Sequence, residues 1–173
     1  MKESKVLVVF FSRGGTTRKV AEALHEQIGG ELVEVHTRHY PKGIRGYFRA
    51  GLDSLVGRSI PIRFAALHDS DYDLVVIGTP VWNASLSAPI QNFITHSLPE
   101  TQRVAFFLTY GGSGAKRVFG QMEGLTGKHP LAVLAVSDSE VRRRKYGPKV
   151  KAFLNSLRTA NDRLKHGPSK KAA

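Results

Sequence analysis

The run Val6-Leu7-Val8-Val9-Phe10-Phe11 passes directly into Ser12-Arg13-Gly14-Gly15-Thr16-Thr17-Arg18, and this junction decides the fold. Six consecutive apolar residues without polar alternation describe a strand covered on both faces, the kind found in parallel sheets. The polar, glycine-rich segment that follows is a turn. Beyond it Val20, Leu24 and Ile28 recur at helical spacing, with Thr16 or Thr17 placed to cap the helix and Gly29-Gly30 to end it. Strand, short loop and helix together make the first half of a βαβ unit.

The same grammar repeats outward from there. Glu31 to His36 reads as a second short strand, followed by a long connection with Ile44, Tyr47, Phe48, Leu52 and Leu55 on one helical face. Asp73 to Gly78 is a third strand of the buried kind, leading into a loop at Thr79-Pro80-Val81-Trp82-Asn83. Pro89 sits near the start of a helix that carries Ile90, Phe93 and Ile94 and ends before Pro99. Arg103 to Thr109 is strand four, closed by Tyr110-Gly111-Gly112-Ser113-Gly114, and Val118, Met122 and Leu125 mark the next helix. Leu131 to Val136 is strand five. After a basic loop, Val150, Phe153, Leu154, Leu157 and Leu164 mark a last helix ending near Gly167-Pro168. Residues 1–165 are expected to form one domain and 166–173 a basic disordered tail. Strands alternating with helices predict an α/β fold: three layers, doubly wound, with a five-stranded parallel sheet in the order 2-1-3-4-5.

Composition narrows the function. The chain has 173 residues, enough for one sizeable core, and no stretch approaches the ~20 apolar residues of a membrane span. The opening Met1-Lys2-Glu3-Ser4-Lys5 and the short apolar run after it do not form a secretory signal, so a cytoplasmic location is expected. Cysteine is absent, which excludes disulfides, thiolate metal sites, iron–sulfur clusters and a cysteine nucleophile. Of the net charge of +12, residues 142–173 hold +10: eleven Lys and Arg against Asp162 alone. The basicity is therefore local, and Arg142-Arg143-Arg144-Lys145 reads first as a solvated face. The seven histidines are scattered without metal-ligand spacing, and Asp69, Asp71 and Asp73 form a turn at the amino end of a strand.

Three loops remain, and the expected strand order brings all of them to one crevice at the carboxyl ends of strands one, three and four. Ser12 to Arg18 opens a helix, where backbone N–H groups and the dipole favour an anion and glycines permit close approach. It is neither a Walker motif nor Gly-x-Gly-x-x-Gly; by itself it reads as an ordinary turn. The second loop carries the only tryptophan, Trp82, whose ring either stacks on a flat ligand or packs beside Ile90. The third offers Tyr110 and three glycines. Together they supply an anion cup at one end and an aromatic slot at the other, which suits a phosphorylated flat cofactor.

Over residues 5 to 165 the chain resembles the flavodoxin family. Ser12, Gly15 and Thr17 match the phosphate-binding pattern Ser/Thr-x-Thr-Gly-x-Thr, Gly78-Thr79-Pro80-Val81-Trp82 is similar to the second flavin loop, and Thr109 to Gly114 to the third. Gly14 stands where the family has a threonine whose hydroxyl contacts phosphate. The resemblance implies flavin mononucleotide (FMN) as cofactor. Ser12, Arg13, Gly14, Gly15, Thr16 and Thr17 would hold its phosphate, with Arg13 or Arg18 compensating for Gly14. Trp82 and Tyr110 would border its ring, with Thr79, Pro80, Val81 and Asn83 beside Trp82. Thr109, Gly111, Gly112, Ser113 and Gly114 would meet the ring's polar edge. Since a flavin does the redox chemistry itself, no acid, base or nucleophile is assigned. Three functions follow. The first is an electron carrier docking to a redox partner protein. The second is an NAD(P)H-dependent reductase of quinones or similar small acceptors, with an open slot that often takes a homodimer to build. The third, ranked last, is a cofactor-free module binding nucleic acid through residues 142–171.

Overall fold

The computed structural model describes residues 5–37, 61–68, 71–101 and 103–166. In chain order the elements are β1 (Val6–Phe11), α1 (Thr16–Ile28), β2 (Glu31–Val35), β3 (Asp71–Tyr72), β4 (Leu74–Trp82), β5 (Ser85–Leu86), α2 (Ala88–Ser97), β6 (Glu100–Thr101), β7 (Val104–Tyr110), α3 (Ala115–Thr126), β8 (Val133–Ser137), α4 (Asp138–Arg142) and α5 (Gly147–His166).

β1 is buried at every position, and its two sides face different cores. Leu7, Val9 and Phe11 join a core with Ile90 and Phe93 of α2 and Val118 and Met122 of α3. Val6, Val8 and Phe10 join a second with Val20 and Leu24 of α1 and Phe153, Leu154 and Leu157 of α5. Alternation along one apolar strand thus produces helix, sheet and helix as three layers. The sheet runs β2-β1-β4-β7-β8 with every pair parallel. Counting these five long strands in chain order gives 2-1-3-4-5, the order expected. Gly78 of β4 lies opposite Phe107 of β7, and a Cβ there would fall 2.0 Å from the Phe107 ring. Only a glycine lets that ring cross the strand.

Three local readings are corrected. β4 does not stop at Gly78 but continues to Trp82, because Thr79 and Pro80 pair parallel with Leu108 and Thr109 of β7, and Val81 and Trp82 pair antiparallel with Leu86 and Ser85 of β5. The turn is only Asn83-Ala84, with φ of 51° and 56°, a two-residue hairpin of the type whose twist matches paired strands. Most of the expected loop is therefore strand. The segment after β8, read as a basic loop, begins with helix α4. Ser137 and Glu140 form a capping box there, each side chain engaging the other's backbone N–H. Leu125, expected with Val118 and Met122 on the apolar face of α3, is instead 41% exposed. The helical pattern at Ile44 to Leu55 and residues 167–173 of the expected tail lie outside the described residues, and His166 is the last residue of α5.

Candidate flavin site

The helix α1 begins without a side-chain cap. Gly15 occupies the N-cap in the left-handed region (φ 84°), and its N–H donates to Ser12 Oγ at 3.1 Å. Neither Thr16 nor Thr17 caps the helix as expected, since Gly15 takes the N-cap position and both threonines fall within the first turn. The first-turn N–H groups therefore carry no side-chain acceptor, and no acidic residue lies in that turn. This leaves donors and the positive end of the helix dipole for an anion. A Cβ at Gly14 or at Gly15 would meet nothing within 4 Å, so open space stands over both.

Thr17 is buried, and its Oγ1 lies 2.8 Å from Oγ1 of Thr109 at the end of β7. Arg18 turns away to Glu34, its Nε 3.0 Å from Oε2 and its Nη2 2.8 Å from Oε1. That hydrogen-bonded carboxylate raises the Arg18 pKa above its ordinary value and balances its charge. Of the two arginines expected to compensate for Gly14, Arg18 is thus already paired, and Arg13 sits half-buried on the cup.

These residues open on a cleft of about 950 Å³. Ser12 to Arg18 form one part of its lining, Pro80, Val81 and Trp82 a wall, and Thr109, Gly111 and Asp138 the rest, with Thr109 directly against Thr17. The carboxyl ends of β1, β4, β7 and β8 meet here, as a doubly wound sheet requires. Trp82 is only 6% exposed and packs edge-on against Phe11, with ring centroids 5.3 Å apart and planes at 87°. It belongs to the same core as Ile90 and reaches the cleft as part of the wall. The remaining expected residues do not line the cleft. Thr79 is fully buried and its hydroxyl lies 2.8 Å from Ser87 Oγ. Asn83 is exposed at the hairpin turn, Tyr110 is half-buried against the core, and Gly112 and Ser113 are exposed. Gly114 (φ 95°) is the N-cap of α3, close enough to the hairpin that a Cβ would stand 2.7 Å from Ala84 Cα.

Asp138 is the cleft residue that sequence reasoning missed. Its Oδ2 is 3.8 Å from where a Cβ on Gly111 would be, so it borders the third loop. The Ser137-Asp138-Ser139-Glu140 spacing was the available signal, because a capping box fixes the first turn that carries Asp138. Glu140 accepts from the Ser137 N–H at 2.8 Å and pairs with Lys149 at 2.8 Å. The Lys149 hydrogen bond, then those from Ser137, hold its pKa down at about 2.

The donor set fits FMN. An uncapped helix start suits a phosphate, glycine at 111 lets a ring edge approach backbone, and the volume lies within the roughly 300–1,000 Å³ of small-molecule sites. A family model described as NADPH-dependent FMN reductase matches residues 4–125. The chain belongs to the NADPH-dependent FMN reductase family. The matched span contains the cup, the wall and the third loop of this FMN reductase family member, and Asp138 lies beyond it. No curated protein sequence matches the chain. Among solved structures, a flavoprotein from Lactobacillus acidophilus in complex with FMN is 26% identical. It covers 81% of this chain and 97% of its own, with a TM-score of 0.65. A flavoprotein from Bacteroides eggerthii is 25% identical, over 88% of this chain and 99% of its own, with a TM-score of 0.57. An archaeal flavodoxin, 14% identical over 91% of this chain and 99% of its own (TM-score 0.51), shares the fold. FMN as cofactor and the flavodoxin-like architecture accord with these relatives.

Among the described residues, no group of three or more His, Cys, Asp or Glu is arranged to hold a metal ion, and no helix is long and apolar enough to cross a membrane.

Proposed function

We propose that this chain is an FMN-dependent reductase that takes reducing equivalents from NADPH or NADH and passes them to a quinone or similar small acceptor. The observation that carries the reading is the size of the cleft, about 950 Å³, at the upper end of the range for small-molecule sites. That leaves room for a second planar molecule beside a flavin. When bound, FMN supplies the redox chemistry, and the protein supplies binding, orientation and electrostatics.

The residues divide that work. First-turn N–H groups of α1 hold the phosphate by charge-assisted hydrogen bonds. Ser12 Oγ, which already accepts from Gly15 N–H, keeps its own proton for a phosphate oxygen. Pro80, Val81 and the Trp82 edge give the ring an apolar wall, and Gly111 admits its polar edge to backbone. Asp138 sets a carboxylate at the rim. A carrier docking to a protein would use the same cofactor with a different partner, and the four exposed basic residues Arg142 to Lys145 would select an acidic one.

The test begins with the visible spectrum after FMN addition and gel filtration, where retained flavin absorbance is expected. Steady-state oxidation of NADPH and NADH with a quinone follows, and turnover well above that of free FMN is expected. Retained flavin without turnover would move the reading to the carrier. A colourless protein would overturn both.

A further inference from the structure

At the other end of the sheet from the flavin cleft, the amino ends of β1, β4 and β7 leave a second cavity of about 310 Å³ beneath α1 and α5. Its floor is apolar: Val6, Ile28, Leu74, Leu131, Leu154 and Leu157. Its mouth is polar, with Gln27, Asp73, Arg103, Arg158 and Asn161.

Part of that mouth is already committed. Arg103 donates from Nε to the Asp73 carbonyl at 2.8 Å and from Nη1 to Asn161 Oδ1, and its Nη2 lies 3.7 Å from Asp73 Oδ1. Asp73 Oδ2 also accepts from the Lys5 N–H at 2.9 Å. Two donors are left over. Arg158, exposed on α5, has no hydrogen-bond or ion-pair partner among the described residues. Asn161 gives its oxygen to Arg103, which leaves its amide N–H groups facing no acceptor among the described residues. Two guanidinium groups against one carboxylate leave an excess of one positive charge. The carboxyl end of α1, at Gln27 and Ile28, contributes only about half a negative charge against it.

An apolar floor beneath a mouth with spare cationic and amide donors is the complement of an apolar tail with an anionic head. The planar guanidinium fork matches a carboxylate in two-point geometry. The volume, at the lower end of the usual range, selects a small molecule. We propose that this cavity binds a small carboxylate with an apolar tail, such as a medium-chain aliphatic acid. Its head rests on Arg158 and Asn161 and its tail on Leu74, Leu131, Leu154 and Leu157. The site is separate from the flavin cleft and stands whether or not the reductase reading holds.

Calorimetric titration of the full chain with octanoate, in the presence of saturating FMN to occupy the phosphate cup, tests this. Octanol probes the tail without the charge and acetate the charge without the tail. Octanoate is expected to bind saturably at one site and more tightly than either control. Arg158→Ala should weaken it about tenfold or more, since a charge-assisted contact is lost, and Arg158→Lys should restore part of the loss. Because Arg158 is exposed and unpartnered, its far-ultraviolet spectrum and melting temperature should stay those of the parent protein. Amide shifts on binding should cluster at Val6, Ile28 and Leu157. No saturable binding at millimolar octanoate, equal binding by Arg158→Ala, or shifts confined to Gly14 and Gly111 would overturn the proposal.

Discussion

Oγ1 of Thr17 lies 2.8 Å from Oγ1 of Thr109, and both residues are almost fully buried. The contact joins the first turn of α1, under the phosphate cup, to the end of β7, where the third loop leaves the sheet. A buried hydroxyl that loses its partner costs about 1–3 kcal/mol. Thr109→Val keeps the shape and removes the partner. It should destabilise the protein by about 1–2 kcal/mol in urea and loosen FMN several-fold as the cup loses its anchor. The Thr17→Val, Thr109→Val double variant should lose clearly less than the sum of the two. Strict additivity would show that the hydroxyls do not act as a pair.

Gly114 holds the third loop against the hairpin. With φ at 95° and a would-be Cβ 2.7 Å from the Ala84 backbone, Gly114→Ala combines backbone strain with a clash that no side-chain rotation relieves. A loss of about 2–4 kcal/mol is expected. Gly112→Ala is the control, because its Cβ meets nothing within 4 Å and its φ is not positive. It should change stability by no more than about 0.5 kcal/mol. Equal melting temperatures for the two variants would contradict the clasp.

Much of this site was legible in the sequence because its signals are local. An unbroken apolar run marks β1 as a buried strand and Gly29-Gly30 marks the end of α1, whereas its start, expected at a threonine cap, is held by Gly15. What escaped depends on pairing across the chain. Nothing in Thr79 to Trp82 reveals that β4 continues, since Thr79 and Pro80 extend it against Leu108 and Thr109 of β7, and Val81 and Trp82 against Leu86 and Ser85 around a turn containing alanine at positive φ. Trp82 divided evenly between core and ligand in sequence terms, and the structure gives it a core position with one edge on the cleft. Thr17 read as a phosphate donor, and only the tertiary fold brings it to Thr109. Asp138 was missed for another reason. Its capping box opens a helix of only five residues, too short for an apolar period, and the charged run Arg142 to Lys145 beside it has the composition of a loop.

The burial of Trp82 sets how its substitution should be read. Its ring packs on Phe11 and is 6% exposed, so Trp82→Ala leaves a large cavity in the core. A destabilisation of about 3–5 kcal/mol is expected in chemical unfolding. A loss below about 1 kcal/mol would mean that the ring is not a core element and would return it to a purely ligand-facing role.

Acid should act on the rim of the cleft through Glu140. Its pKa is lowered from 4.5 to about 2 by Lys149 and Ser137, so folding favours the charged form. Its contribution is therefore complete above about pH 4.5 and is lost as the pH falls from there toward about 2. Loss of the capping box frees the turn that carries Asp138. Glu140→Gln should be less stable than the parent at neutral pH, and the difference should shrink steadily below pH 4.5. Parallel melting curves between pH 7 and pH 3 would rule out this assignment.

Gly14 offers the most direct handle on the cofactor. It stands where flavodoxins carry a phosphate-contacting threonine, yet its φ is not in the positive range and a Cβ there meets nothing within 4 Å. A side chain therefore fits without strain, and Gly14→Thr should leave stability unchanged or slightly raised, since glycine loses more backbone entropy on folding. A hydroxyl beside the cup adds one hydrogen bond to a doubly charged phosphate. Such bonds are worth about 1.5–3 kcal/mol, part of which goes to fixing the new side chain. FMN should bind about tenfold more tightly, equivalent to about 1.4 kcal/mol. Riboflavin, which lacks the phosphate, should gain nothing. Titration by flavin fluorescence quenching measures both. A gain for riboflavin equal to that for FMN would place the new hydroxyl away from the phosphate, and weaker FMN binding would mean that the phosphate needs the open space over Gly14.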